Sequence, residues 1–213
     1  MEYFKIKSNC FLRKDLIGYY DCYYTGFGQD DNPDYLNVLK NTFSDTPFSK
    51  LNAAKKTVSD IILKDIPEIM ESEELNSCIM VVVPRAKALN SYTPEQLYFR
   101  DAVSEAAKRL PGVEDGTGCI VRHTNTRTTH LRENVGRVTR NGKETINDGR
   151  LPYPGITKDT CIIDSPSIKG KTVILVDDIY TKTCNIDEDC IQALIDNGAS
   201  EVVFYAIAYT RRN

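Results

Sequence analysis

Apolar positions follow two different rhythms along this 213-residue chain. Leu16 to Tyr24 is apolar and aromatic and closes on Gly26 and Gly28, which predicts a short strand. A short helix is expected around Tyr35 to Phe43. From Ser49 to Lys64, Leu51, Ala54, Val58, Ile61 and Ile62 recur at helical spacing, with Ser49 as cap. Pro67 and the acidic stretch Glu71 to Glu74 end that region, and a boundary is placed near residue 75. Cys78 to Val83 is then continuously apolar, as a strand buried on both faces of a parallel sheet requires. Thr93 to Leu110 predicts a helix with a stripe of Leu97, Ala102, Val103, Ala106 and Leu110. Thr93-Pro94-Glu95-Gln96 supplies its cap, its first-turn proline and its capping-box residue. Cys119 to Val121 is a short candidate strand. Val173 to Val176 is a second buried strand, Asp187 to Asn197 an amphipathic helix stopped by Gly198, and Glu201 to Tyr209 a third strand. This alternation predicts an α/β fold, a Rossmann-like, mostly parallel sheet flanked by helices.

Composition narrows the function classes. The net charge of -3 argues against a global nucleic-acid-binding surface and leaves open a local contact through the basic stretch described below. Seven cysteines at scattered positions, none in a CxxC pair, fit neither a disulfide framework nor a structural zinc site. Free thiols suit a reducing compartment. The start Met-Glu-Tyr-Phe-Lys has no apolar run behind it, and no run approaches the roughly 20 residues a membrane span needs. The expectation is a cytoplasmic protein with no membrane partner.

The chemistry concentrates in Val173-Ile174-Leu175-Val176-Asp177-Asp178-Ile179-Tyr180-Thr181-Lys182-Thr183-Cys184-Asn185. A buried strand is followed by two adjacent acids, a hydroxyl-rich turn and a helix. In open α/β sheets, ligands bind at the carboxyl ends of strands, and helix N-termini favour phosphate. The turn Thr181 to Asn185 would wrap a phosphate with backbone N–H groups and hydroxyls. Asp177 and Asp178 would stand beside it and accept hydrogen bonds from vicinal hydroxyls, together gripping a ribose 5-phosphate. A surface turn in which the acids merely cap a helix is the plain alternative.

This segment resembles the signature that binds phosphoribosyl diphosphate (PRPP) in type I phosphoribosyltransferases: apolar residues, two acids, two apolar residues, then a Thr-Thr-Gly-x-Thr turn. The ComF-like subgroup is similar at Arg122-His123-Thr124, at Thr128 to Asn134 and at Lys169-Gly170-Lys171-Thr172-Val173. The likeness covers roughly residues 75–212. Three positions depart from it: Lys182 replaces the second threonine, Thr183 the glycine and Asn185 the last threonine. The zinc-binding cysteines common at the N-terminus of ComF-like proteins are absent.

The resemblance implies a type I phosphoribosyltransferase core over residues 76–213, with residues 1–75 as a small hood-like, partly helical segment. Asp177 and Asp178 would be catalytic, holding the ribose hydroxyls. Thr181, Lys182, Thr183, Cys184 and Asn185 would bind the 5-phosphate. Arg85, Ala86 and Lys87, in the loop after the first buried strand, would bind pyrophosphate. A mobile basic loop over about 122–150, with Arg122, Arg127, Arg132 and Arg137, would close on the reacting centre and exclude water. Mg²⁺ would be held mainly through PRPP, with no direct protein ligand set. The implied activity is Mg²⁺-dependent ribosyl transfer from PRPP to an unidentified nitrogen acceptor, a base or an amine. The alternative is a catalytically weak PRPP- or nucleotide-binding regulatory protein of a DNA-uptake or defence system. Tyr19, Tyr20, Tyr23 and Tyr24 would suit a homodimer interface or core packing.

Overall fold

The structure, a computed structural model, describes residues 1–126, 136–140, 143–147, 156–182 and 184–211, with the backbone alone for 136–140, 143–147 and 156. In chain order the strands are β1 (Glu2–Ile6), β2 (Leu16–Tyr24), β3 (Cys78–Val82), β4 (Val113–Asp115), β5 (Ile120–Arg122), β6 (Gly136–Arg140), β7 (Lys143–Asn147), β8 (Cys161–Ile163), β9 (Thr172–Tyr180) and β10 (Glu201–Thr210). The α-helices are α1 (Asp34–Lys40), α2 (Phe48–Ser72), α3 (Tyr98–Ala107), α4 (Ile156–Thr160), α5 (Ser165–Ile168) and α6 (Ile186–Asp196). The central sheet has the order β1-β2-β10-β9-β3-β4. All its pairings are parallel except β1 with β2. The fold is therefore α/β, with a mostly parallel sheet flanked by helices.

Burial explains why the central strands read as continuous apolar runs. Ile174, Val176, Val203 and Tyr205 face one core with residues of α1, α2 and α3. Val173, Leu175, Val202 and Phe204 face the other, with Cys190, Ile191 and Leu194 of α6. A strand covered on both sides has no polar face to alternate with.

The first 75 residues contribute β1 and β2 to this sheet and the helices α1 and α2 to one of its faces. β2 pairs in parallel with β10 along most of its length, and β1 extends the edge beyond it. Helix α2 also runs past its expected end. Its buried stripe continues through Ile62, Ile66 and Ile69, while Pro67 points to solvent. Water can serve the carbonyl that loses its donor to the proline, so apolar burial keeps the helix going. The capping box of Thr93 and Gln96 is present, but it opens a 3₁₀ turn over Pro94–Leu97 before α3 begins.

Residues 122–160, polar and without clear periodicity, contain the antiparallel pair β6–β7 and α4; β8 follows directly and pairs antiparallel with β5. No helix among the described residues is long and apolar enough to cross a membrane.

Two features position the site. The chain steps from β3 to β4 in one direction across the sheet, whereas β9, β10 and β2 lie in the other. Ligands of open α/β sheets bind in the crevice at such a reversal, which here falls at the carboxyl ends of β3 and β9. Near that end, three neighbouring strands each turn two consecutive side chains to the same face. Ile207 and Ala208 both join the α1–α3 core, Ile179 packs there beside Asp178, and Cys22 beside Asp21.

Candidate functional site

Strand β3 stops at Val82, opposite Val176, and the Val83 amide donates to the Val176 carbonyl at 3.0 Å. Strand β9 runs on to Tyr180, paired only with β10. Asp177 and Asp178 therefore lie inside the strand, at the point where its β3 edge falls open. The expectation of two acids side by side beyond the strand is not met, because consecutive strand residues project to opposite faces. Asp178 faces α1, where its Oδ2 lies 3.4 Å from Lys40 Nζ. Asp177 faces α6 and meets Asp187 in the first turn of that helix.

This geometry sets the protonation of the acids. Burial first, and then the negative charge of Asp178, push the half-buried Asp177 carboxyl up to about 7. Burial likewise holds Asp187 well above the usual carboxylate range, reinforced by the charges of Asp177 and Glu188. Asp187 Oδ1 and Glu188 Oε2 are buried without a hydrogen-bond partner. Two ionised carboxylates only accept, so Asp177 and Asp187 form a hydrogen bond by sharing a proton. Glu188 is raised by burial, while the bond its Oε1 accepts from Tyr180 Oη at 2.8 Å opposes the rise.

The turn after β9 is partly committed to internal bonds. Thr181 Oγ1 pairs with Thr210 Oγ1 at 2.8 Å, and the Cys184 amide donates to the Thr181 carbonyl at 2.9 Å. Asn185 takes the left-handed conformation, φ 52°, as N-cap of α6, and its Oδ1 accepts from Asn9 Nδ2 at 3.0 Å. Asparagine tolerates that backbone better than most residues with a Cβ. Lys182 is exposed, and Thr183 lies outside the described residues. The first turn of α6 carries Asp187, Glu188 and Asp189. These acids complement the positive end of the helix dipole. Asp189 Oδ2 also accepts from the Thr157 amide at 2.8 Å, tying α4 to α6.

Beyond β3, Arg85 is anchored to the protein. Its Nη1 donates to the Gln96 carbonyl, its Nη2 to the Lys40 carbonyl at 2.7 Å, and its guanidinium lies 4.5 Å from the centre of the Tyr92 ring. The Ala86 carbonyl accepts from the amide and hydroxyl of Thr126, and Lys87 Nζ donates to the Thr126 carbonyl at 2.8 Å. The cationic heads expected to meet pyrophosphate thus rest on backbone carbonyls. Arg122, expected in a mobile loop, sits in β5 and is 3% exposed. Its Nε donates to the Arg85 carbonyl at 2.7 Å and its Nη1 to Thr160 Oγ1. Arg127 and Arg132 lie outside the described residues, and Arg137 falls in β6, its side chain outside them.

Lys40 and Asp187 enter the site without having been singled out in the sequence. Lys40 is a basic residue in the last turn of a short helix. Asp187 is one of three consecutive acids opening α6, a run that was itself a signal. Among the described residues, no group of three or more His, Cys, Asp or Glu is arranged to hold a metal. No family model matches the chain, and no curated protein matches it.

Proposed function

We propose that the crevice between β3 and β9 binds PRPP with Mg²⁺, and that the chain transfers the ribosyl group to a nitrogen nucleophile, as its resemblance to type I phosphoribosyltransferases implies. One observation supports this reading: the strand order reverses between β3 and β9, and Asp177 and Asp178 lie in β9 beyond its pairing with β3. A sugar phosphate presents hydroxyls for carboxylates and a dianion for a turn at a helix N-terminus.

In this reading Asp178, steadied by Lys40, accepts a hydrogen bond from a ribose hydroxyl. Asp177, titrating near neutrality, gives up its contact with Asp187 to do the same or to take the proton released by the nucleophile. Lys182 sits exposed beside the turn and adds positive charge for the 5-phosphate. The C1–O bond to pyrophosphate breaks as the C1–N bond forms, and the nitrogen loses a proton. Mg²⁺, when bound, would offset charge on the leaving pyrophosphate. The protein contributes position and electrostatics rather than a nucleophile.

The test is thermal stabilisation by PRPP and Mg²⁺. A ligand at one hundred times its Kd adds about 2.7 kcal/mol of stability. The double variant Asp177→Asn, Asp178→Asn should lose this shift while remaining folded. An undiminished shift would remove the ribose-binding assignment.

A second reading, binding without turnover, is favoured by the internal contacts of Asp177 and Arg85. Stabilisation by PRPP with no pyrophosphate released in the presence of bases or amines would select it.

A further inference from the structure

A pocket straddles the carboxyl end of β3, between the β3–α3 connection and β5, with no residue of β9 in its lining. It encloses about 500 Å³, its open mouth included. Its walls are largely apolar, with Leu89, Tyr92, Leu97, Phe99 and Ile120 among them. Among the described residues, the charged side chains in its lining are Arg85, Lys87, Arg100 and Arg122, with no acid.

The four cations are not equivalent. Arg85 and Lys87 spend their donors on the carbonyls of Gln96, Lys40 and Thr126. Arg122 is buried, yet among the described residues it forms no ion pair. Among the described residues its bonds go to one carbonyl and one hydroxyl, through Nε and Nη1. Arg100, half-buried, makes neither a hydrogen bond nor an ion pair among the described residues. A guanidinium is a permanent cation, and burying one without an anion is costly. Among the described residues the pocket thus has a positive pole with no carboxylate in its lining, the charge of Asp101 acting on Arg100 from α3.

We propose that this pocket binds the carboxylate of a compact organic acid, with Arg122 and Arg100 on the carboxylate and the apolar walls around the body of the ligand. A planar carboxylate matches the donor fork of arginine. Inorganic phosphate or pyrophosphate would leave the aliphatic and aromatic walls facing a strongly hydrated ion. The pocket shares Arg85, Lys87 and Arg122 with the segments expected to meet pyrophosphate and to form the mobile loop, but takes no residue from Asp177–Asn185, so carboxylate binding and ribose binding can be tested apart.

The experiment titrates the full chain with benzoate, benzamide and inorganic phosphate, reading amide chemical shifts by NMR. Benzoate should bind saturably, and its uncharged isostere benzamide at least tenfold more weakly. Arg100→Gln, at a half-buried position that folding tolerates, should weaken benzoate at least tenfold. Arg122→Lys should weaken it too, because an ammonium cannot reproduce the fork. The double variant Asp177→Asn, Asp178→Asn should bind benzoate as the parent does. Equal binding of benzoate and benzamide, unchanged affinity in Arg100→Gln, or phosphate binding more tightly than benzoate would overturn the proposal. So would loss of benzoate binding in the double variant, which would place the acid in the β9 crevice instead.

Discussion

Asp177 on β9 and Asp187 on α6 meet across the strand–helix junction, where Asp177 raises the affinity of Asp187 for a proton and the hydrogen bond with Asp187 in turn lowers that of Asp177. The contact sits at the open edge of the central strand, so the charge of the crevice and the attachment of α6 to the sheet depend on the same proton.

Stability should therefore fall with rising pH. The folded protein keeps protons on Asp177 and Asp187 that the unfolded chain releases near pH 4, because the folded values are raised. Above pH 4 the unfolded state gains by ionising, and the loss continues until Asp177 has titrated at about 7. Asp187→Asn should flatten this dependence and raise the melting temperature at pH 8, because the new amide can donate to Asp177. Relief of one unsatisfied buried group is worth about 1–3 kcal/mol, and each kcal/mol is about 2–4 °C in a chain of this length. Calorimetry from pH 5 to pH 8 reads both effects.

Tyr205→Phe should destabilise the protein by about 1–3 kcal/mol. The Tyr205 hydroxyl donates to Asp65 Oδ2 at 2.7 Å, and Asp65 is 0% exposed. Its other oxygen lies 3.1 Å from Lys64 Nζ. Removing the hydroxyl leaves a buried carboxylate with one fewer donor. Urea unfolding should show a lower midpoint with an unchanged slope.

Arg85→Ala should cost stability before any ligand is added. It removes donors from two backbone carbonyls and a cation from the face of Tyr92. Bonds from a charged donor contribute about 1.5–3 kcal/mol each. Arg85→Lys should recover only part of the loss, since one ammonium does not reproduce the fork between Gln96 and Lys40. Amide hydrogen exchange over residues 38–44 should speed up in both variants. Unchanged exchange there would mean that Arg85 does not anchor the end of α1.

Gly112→Ala and Gly170→Ala should separate backbone strain from crowding. Both glycines have positive φ, 74° and 73°. A Cβ at Gly112 would lie 2.7 Å from the Asn76 carbonyl oxygen, whereas one at Gly170 meets nothing within 4 Å. The Gly170 variant should lose about 1–2 kcal/mol, the cost of a left-handed alanine. The Gly112 variant should lose clearly more, and equal losses would show that the loop beside Asn76 yields freely.

Much of the layout was legible in the residues themselves. The runs around Cys78–Val82, Val173–Val176 and Glu201–Tyr209 become strands because burial on both faces imposes an unbroken apolar rhythm, which local composition records. The stripe of α2 and the capping box of Thr93 and Gln96 are likewise local codes. The α/β class and a strand–turn–helix unit after Val173–Val176 follow from them.

Other features depend on partners distant in the chain. The extension of β9 past Asp178 depends on β10 continuing beside it, so the acids fall within a strand and are sent to opposite faces. Nothing near Asp178 in the sequence announces Lys40, and nothing near Arg85 announces two carbonyls waiting for its guanidinium. Arg122 shared its basic stretch with Arg127 and Arg132, yet pairing of β5 with β8 buries it. Periodicity reports how much of a residue is covered; what a side chain touches is settled when strands and helices remote in sequence come into register.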